Sequence, residues 1–124
     1  MKRSETSILP EIRDVLSSDK LVHEPARLAV LALLSSVESA DFTWLMHQTG
    51  LTQGNLSTHL TKLDQAGLVS IEKGFQGKRP KTTLRISEEG AARLTTQAET
   101  LRRFLALIAH RPARPRDKNK DFRP

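Results

Sequence analysis

Residues Phe42 to Ile86, FTWLMHQTGLTQGNLSTHLTKLDQAGLVSIEKGFQGKRPKTTLRI, decide the fold. The run divides into a short helix, a tight turn, a second helix and a two-stranded ribbon with a basic tip. Thr49-Gly50-Leu51-Thr52 is the turn: Gly50 lets one helix end, and the Thr52 hydroxyl can accept from the free N–H groups of the next. Beyond Thr52 the apolar residues are Leu56, Leu60 and Leu63, spaced as one buried helical stripe, and Gly67 stops that helix. Its other face carries Gln53, Gly54, Asn55, Ser57, Thr58, Thr61 and Lys62, with Lys62 the only charge. Small polar side chains suit close approach to base edges; a merely solvated face is usually dominated by Lys and Glu. The pattern implies a helix-turn-helix whose second helix is a recognition helix.

Leu68 to Lys73 alternates apolar and polar residues and is rich in β-branched ones, so it reads as a strand. Thr82 to Ile86 reads as a second. Gly74, Phe75, Gly77, Lys78, Arg79, Pro80 and Lys81 lie between them, which implies a hairpin too long for a two-residue turn, closed by a positively charged loop. A helix-turn-helix followed by such a hairpin is a winged-helix arrangement.

At this point the chain resembles the winged-helix regulators of the MarR-like superfamily, and most of all its compact branch. The matching residues are Arg27 to Leu34 (RLAVLALL), Asp41 to Thr43 (DFT) and Gly54 to Leu60 (GNLSTHL). The Glu72-Lys73-Gly74-Phe75 and Arg79-Pro80-Lys81-Thr82 segments of the wing match as well, as does the Ser87-Glu88-Glu89-Gly90 opening of the last helix. The likeness spans roughly Leu21 to Leu105, far more than one motif supplies. It implies a mainly α fold with a small β-hairpin and a repressor that binds double-stranded DNA as a homodimer. The DNA-contacting residues would be Gln53, Gly54, Asn55, Ser57, Thr58 and Lys62 on the recognition helix, with Lys73, Lys78, Arg79 and Lys81 on the wing.

Composition is consistent with this. The 124 residues suit one domain, and the net charge of +6 suits a polyanionic partner. The excess sits in two places. From Lys62 to Arg85 there are six basic residues against Asp64 and Glu72, and from Arg111 to Arg123 six against Asp117 and Asp121. Cysteine is absent, so neither disulfides nor thiolate metal sites are available. No apolar run approaches the ~20 residues that span a bilayer, and the first residues lack a signal-peptide core, so no membrane and a cytoplasmic location are expected.

Outside the central stretch the chain divides into residues 1–20, a core of residues 21–86, a helix in residues 87–110 and a basic segment at residues 111–124. Ile8, Leu9, Ile12, Val15 and Leu16 recur at helical spacing, predicting a short amphipathic helix from Leu9 to Ser17 that needs a surface to cover. Pro25 opens the next helix, and Ala26 to Val37 is so apolar that burial on most sides is expected. Asp41 is placed to cap the helix from Phe42. Trp44 falls off the apolar stripe of Phe42, Leu45 and Met46, which leaves packing or a contact to a partner open.

Ser87, followed by Glu88 and Glu89, starts the last helix, predicted to run from Glu88 to Ala109. Ala91, Leu94, Ala98, Leu101, Leu105 and Ile108 follow gaps of 3, 4, 3, 4 and 3, a heptad seam. Such a seam exceeds what one small domain can cover. Leu94, Ala98, Leu101, Leu105 and Ile108 are therefore expected to pair with a second subunit. Residues 111–124, with three prolines and eight charges, read as a disordered tail, either solvated or acting as a phosphate-binding arm.

No catalytic constellation emerges. His23, His47, His59 and His110 form no pair at metal-ligand spacing, and no phosphate loop or nucleophile signature is present. Neither an enzyme nor a metal or cofactor site is expected, and no residue identifies an effector pocket. His59 lies at the edge of the buried stripe, where a structural or phosphate-contacting role suits it better than metal ligation. The competing reading is a winged helix that binds another protein. That reading would require an apolar or acidic recognition face, and this face is small, polar and flanked by basic residues.

Overall fold

The computed structural model describes residues 8–110. The elements run α1 (Pro10–Leu16), α2 (Pro25–Ser35), β1 (Ala40–Asp41), α3 (Phe42–Thr49), α4 (Gln53–Gln65), β2 (Val69–Gln76), β3 (Arg79–Ile86) and α5 (Glu88–Ala109). This is the winged-helix arrangement that the residue pattern implies. The expected tail at residues 111–124 lies outside the described residues.

Local chemistry sets the helix ends. Asp41 accepts from the Trp44 N–H at 2.7 Å, and Thr52 Oγ1 accepts from the Asn55 N–H at 3.1 Å. Gly50, at φ 72°, turns the chain out of α3 in the left-handed region that a side chain disfavours. At the end of α4 the Gly67 N–H donates to the Asp64 carbonyl and the Leu68 N–H to the Leu63 carbonyl, both at 2.9 Å. With Gly67 at φ 78° these two bonds make a Schellman closure, and Leu63 and Leu68 on either side of it are both buried in the same core.

Leu56, Leu60 and Leu63 of α4 join Val30, Leu31 and Leu34 of α2, Leu45 of α3, and Val22, Leu68, Val69 and Leu84 in one core. Each such side chain contributes roughly 1.5–3 kcal/mol on burial. The apolar α2 is less enclosed than its composition suggests. Val30, Leu31 and Leu34 are buried, but Pro25, Ala29, Ala32 and Ser35 face outward. Alanine tolerates either environment, so composition overstated the burial.

The ribbon also departs from expectation. The sheet has three strands in the order β1-β3-β2, because Ala40 and Asp41 pair with Leu84 and Thr83. The hairpin ladder continues outward through Lys73–Thr82, Gly74–Lys81 and Phe75–Pro80 to Gln76–Arg79. A two-residue turn, Gly77-Lys78, closes it, with Gly77 at φ 65°. The long basic loop is therefore two strands and a tight turn. Pro80 is tolerated because it lies beyond β1, where β3 has one strand neighbour and a missing N–H can face solvent.

The first turn of α5 is locked to the base of the wing. Ser87 Oγ donates to the Gly67 carbonyl at 2.6 Å and accepts from the Gly90 N–H at 2.9 Å, while the Ser87 N–H donates to the Leu68 carbonyl at 2.9 Å. A Cβ on Gly90 would overlap that same Leu68 carbonyl oxygen. Only glycine permits this approach.

Farther along, α5 packs on α1 and α2. Its most buried side chains there are polar: Gln97, at 2.7 Å from His23 Nδ1, and Thr100. Arg93 donates to Asp19 at 2.7 Å and Arg103 to Asp14 at 3.1 Å, each bond reaching back to the N-terminal region. These bonds hold both carboxyls below the usual carboxylate range. The expected apolar seam therefore straddles two environments. Leu94 and Leu101 are half-buried against their own domain, whereas Ala98, Leu105 and Ile108 are exposed.

Candidate nucleic-acid interface

Burial of Leu56, Leu60 and Leu63 turns the opposite side of α4 outward. Gln53, Gly54, Asn55, Ser57, Thr58 and Lys62 are all exposed. Thr61 and Gln65, outside the expected contact set, are exposed on the same side and share a shallow concavity with Ser57, Thr58 and Lys62. Helical spacing already places Thr61 on this outward face, and Gln65, which follows Gly54 at i+11, could have been found the same way.

Two details limit what this face can read. Thr58 Oγ1 donates its proton to the Gly54 carbonyl at 3.0 Å, leaving its lone pairs and methyl group outward. Thr58 can thus accept from a base or touch a thymine methyl, but it does not donate while that bond stands. Asn55 uses only its backbone N–H in the cap, so its side-chain amide keeps both donor and acceptor. A Cβ on Gly54 would meet nothing within 4 Å in the free protein. The described residues give no steric reason for glycine there.

The wing cations do not all point one way. Cross-strand partners share a face of the sheet, so Lys73 and Thr82 lie on the side of Ile71 and Leu84, toward the helices. Gln53, Ser57 and Thr61 of α4 line a cleft of about 380 Å³ with Lys73 and Thr82. Arg79 and Lys81 lie on the opposite face with Glu72 and Arg85, and Lys78 occupies the turn. A single basic patch on the wing is therefore replaced by one cation beside the recognition helix, one at the tip and two behind.

Among the described residues Arg85 is the one hairpin cation held by an acid, with Nη1 at 3.0 Å from Glu72. Among the described residues, no ion pair engages Lys62, Lys73, Lys78, Arg79 or Lys81. These charges are available to an external anion.

His59 points the other way. Its ring is largely buried against α2, with Nδ1 at 3.2 Å from Arg27 Nη1. The role is structural. Trp44 is half-buried at the edge of the core and borders a groove of about 470 Å³ with Val37, Lys81 and Thr83, which favours packing over an exposed contact. No three His, Asp or Glu side chains converge as a metal site among the described residues, and no helix there is long and apolar enough to cross a membrane.

Known proteins share this architecture. The profile of a family described as a winged helix DNA-binding domain matches residues 26–105. An uncharacterized protein of Methanocaldococcus jannaschii is 37% identical over 71 residues, covering 57% of this chain and 77% of that protein. A transcriptional regulator homologue from Pyrococcus horikoshii superposes with a TM-score of 0.73 at 25% identity, covering 81% of this chain and 98% of that one. A transcriptional regulator of the MarR family from Enterococcus faecalis gives a TM-score of 0.62 at 21% identity, covering 87% and 94% of the two chains. At that identity the likeness is one of fold, and the fold agrees with the MarR-like resemblance read from the residues.

Proposed function

The chain belongs to the winged helix DNA-binding domain family, and from that premise we propose a sequence-specific transcription regulator that binds duplex DNA as a homodimer. The observation that carries this reading is the exposed face of α4, where the Asn55, Ser57 and Thr61 side chains hold no hydrogen bond among the described residues, Thr58 keeps its lone pairs free, and an unpaired Lys73 stands across the cleft. That face enters a major groove and reads base edges, while Lys62, Lys78 and Arg79 neutralise phosphates and set register. Arg79 or Lys81 reaches the adjacent minor groove. Repression follows when the bound dimer excludes polymerase from its site.

The second subunit covers Leu105 and Ile108 of α5 together with Ile8, Leu9 and Leu16 around α1, which are each more than half exposed in the single chain. An isolated soluble domain rarely leaves such a cluster open. A protein-interaction winged helix would present apolar or acidic groups on α4. Asp64, in its last turn, is the one carboxylate there.

Selection of bound duplexes from a random pool tests the proposal. Enrichment of a pseudo-palindrome with half-sites about 10–10.5 base pairs apart is the expected result. A recovered pool indistinguishable from the input would overturn it.

A further inference from the structure

Phe75 is the most exposed large apolar side chain among the described residues, at 75%. Nothing among the described residues explains that exposure. The other exposed apolar residues belong to the surroundings of α1 and the last turns of α5; Phe75 stands apart on the wing. Its cross-strand partner is Pro80, so two apolar rings face the same way one ladder step inside the Gln76–Arg79 pair and the Gly77-Lys78 turn. That face is also the one that carries Lys73 and Thr82 toward the cleft beside α4. Lys73 lies one pair further in on that same face and Lys78 in the turn beyond it, while Arg79 and Lys81 project from the other face; none of the four has an acidic partner among the described residues. An aromatic ring with a free cation beside it and another at the tip suits a surface that is anionic outside and apolar within, which is the chemistry of a duplex groove.

We propose that Phe75, backed by Pro80, is an apolar wedge that the wing presses into the minor groove next to the site read by α4. It partly unstacks one base step and bends the duplex toward the major groove. The proposal rests on the DNA-binding reading and adds a means of specificity to it. A wedge discriminates by the ease with which a step opens, favouring flexible pyrimidine–purine steps over stiff A-tracts at positions that no side chain hydrogen-bonds. The two-residue turn and continuous ladder make the wing a stiff carrier, which an irregular loop would not be.

The test uses the 124-residue chain and a duplex recovered by selection. Energy transfer between dyes at the two ends reports bending, and 2-aminopurine placed step by step reports unstacking. With the wild type, a bend of about 20–90° and one step of raised 2-aminopurine fluorescence are expected. Phe75→Ala should bind several-fold more weakly, with the bend and the fluorescence signal largely lost, and Phe75→Leu should keep part of both. Phe75 is exposed, so circular dichroism of both variants should match the wild type. A straight wild-type complex, or a bend and unstacking unchanged by Phe75→Ala, would overturn the wedge while leaving the regulator reading intact. A wild type that binds no recovered duplex would overturn the regulator reading, and the wedge with it.

Discussion

Arg27 ties the recognition helix to the rest of the domain: its Nη1 lies 3.2 Å from His59 Nδ1, and its Nε donates to the Leu21 carbonyl at 2.7 Å. The guanidinium has no acceptor atoms, so in this contact it is the donor. Arg27→Ala leaves the Leu21 carbonyl unpaired in a half-buried setting and the imidazole with only the Glu24 carboxylate, 3.9 Å from Nδ1. A loss of about 1–3 kcal/mol in urea denaturation is expected. DNA binding should weaken too, because α4 loses its tether to α2. Unchanged stability would mean that the two bonds contribute nothing net.

The acid side of the stability curve follows from Asp14 and Asp19. The hydrogen bond from Arg103 lowers the Asp14 carboxyl, and that from Arg93 lowers Asp19, with burial opposing both. A carboxyl lowered in the folded state stabilises it above the unfolded-state value of about 3.9, and that contribution is lost as pH falls through the lowered value. Denaturation midpoints should therefore hold from neutrality to about pH 5 and then decline. Asp19→Asn should lower the midpoint at neutral pH and flatten the decline. An equal acid slope in Asp19→Asn would separate acid sensitivity from this contact.

Gly54 offers a way to separate stability from function. With open space around its Cβ position, Gly54→Ala should stabilise the free protein by up to about 1 kcal/mol, less if the first-turn position softens the effect. The added methyl group would stand where α4 meets DNA, so affinity for the selected duplex should fall. A variant that gained in both respects would show that α4 keeps its distance at this point.

How much of this was legible in the residues depends on range. The caps at Asp41, Thr52 and Ser87 and the Leu56–Leu60–Leu63 stripe are local signals, and each forms as its spacing implies. The tightness of the wing turn is not legible in the residues, because Gly74 and Pro80 interrupt the strand pattern, yet a ladder beyond β1 accommodates both. Strand β1 has two residues and no periodicity to detect. The heptad count on α5 located an apolar stripe but could not say which edge its own domain covers. Buried Gln97 and Thr100 settle that edge through His23 and α1, contacts made across long stretches of chain. The contact set on α4 was legible as a face, whereas the tight approach at Gly90 and the Arg27–His59 bond were not.

Assembly has a sharper test than the seam alone suggested. Leu101 is half-buried against its own domain, so a charge there would confound folding with pairing. Leu105 and Ile108 are 56% and 55% exposed and can take a charge without disturbing the monomer. Sedimentation of the wild type at tens of micromolar should give a dimer, and Leu105→Asp with Ile108→Asp a folded monomer with sharply reduced affinity for a two-half-site duplex. A wild-type monomer would refute the pairing.

Base reading by α4 is most directly tested by titrating wild type and Asn55→Ala onto one selected duplex and its scrambled counterpart at fixed salt, followed by fluorescence anisotropy. The wild type should prefer the selected duplex by about a thousandfold or more. Asn55→Ala should lose about 1–3 kcal/mol on that duplex and almost nothing on the scrambled one, since an amide read against a base edge carries sequence information and a phosphate contact does not. Equal wild-type affinity for the two duplexes, or equal losses on both in the variant, would contradict the account.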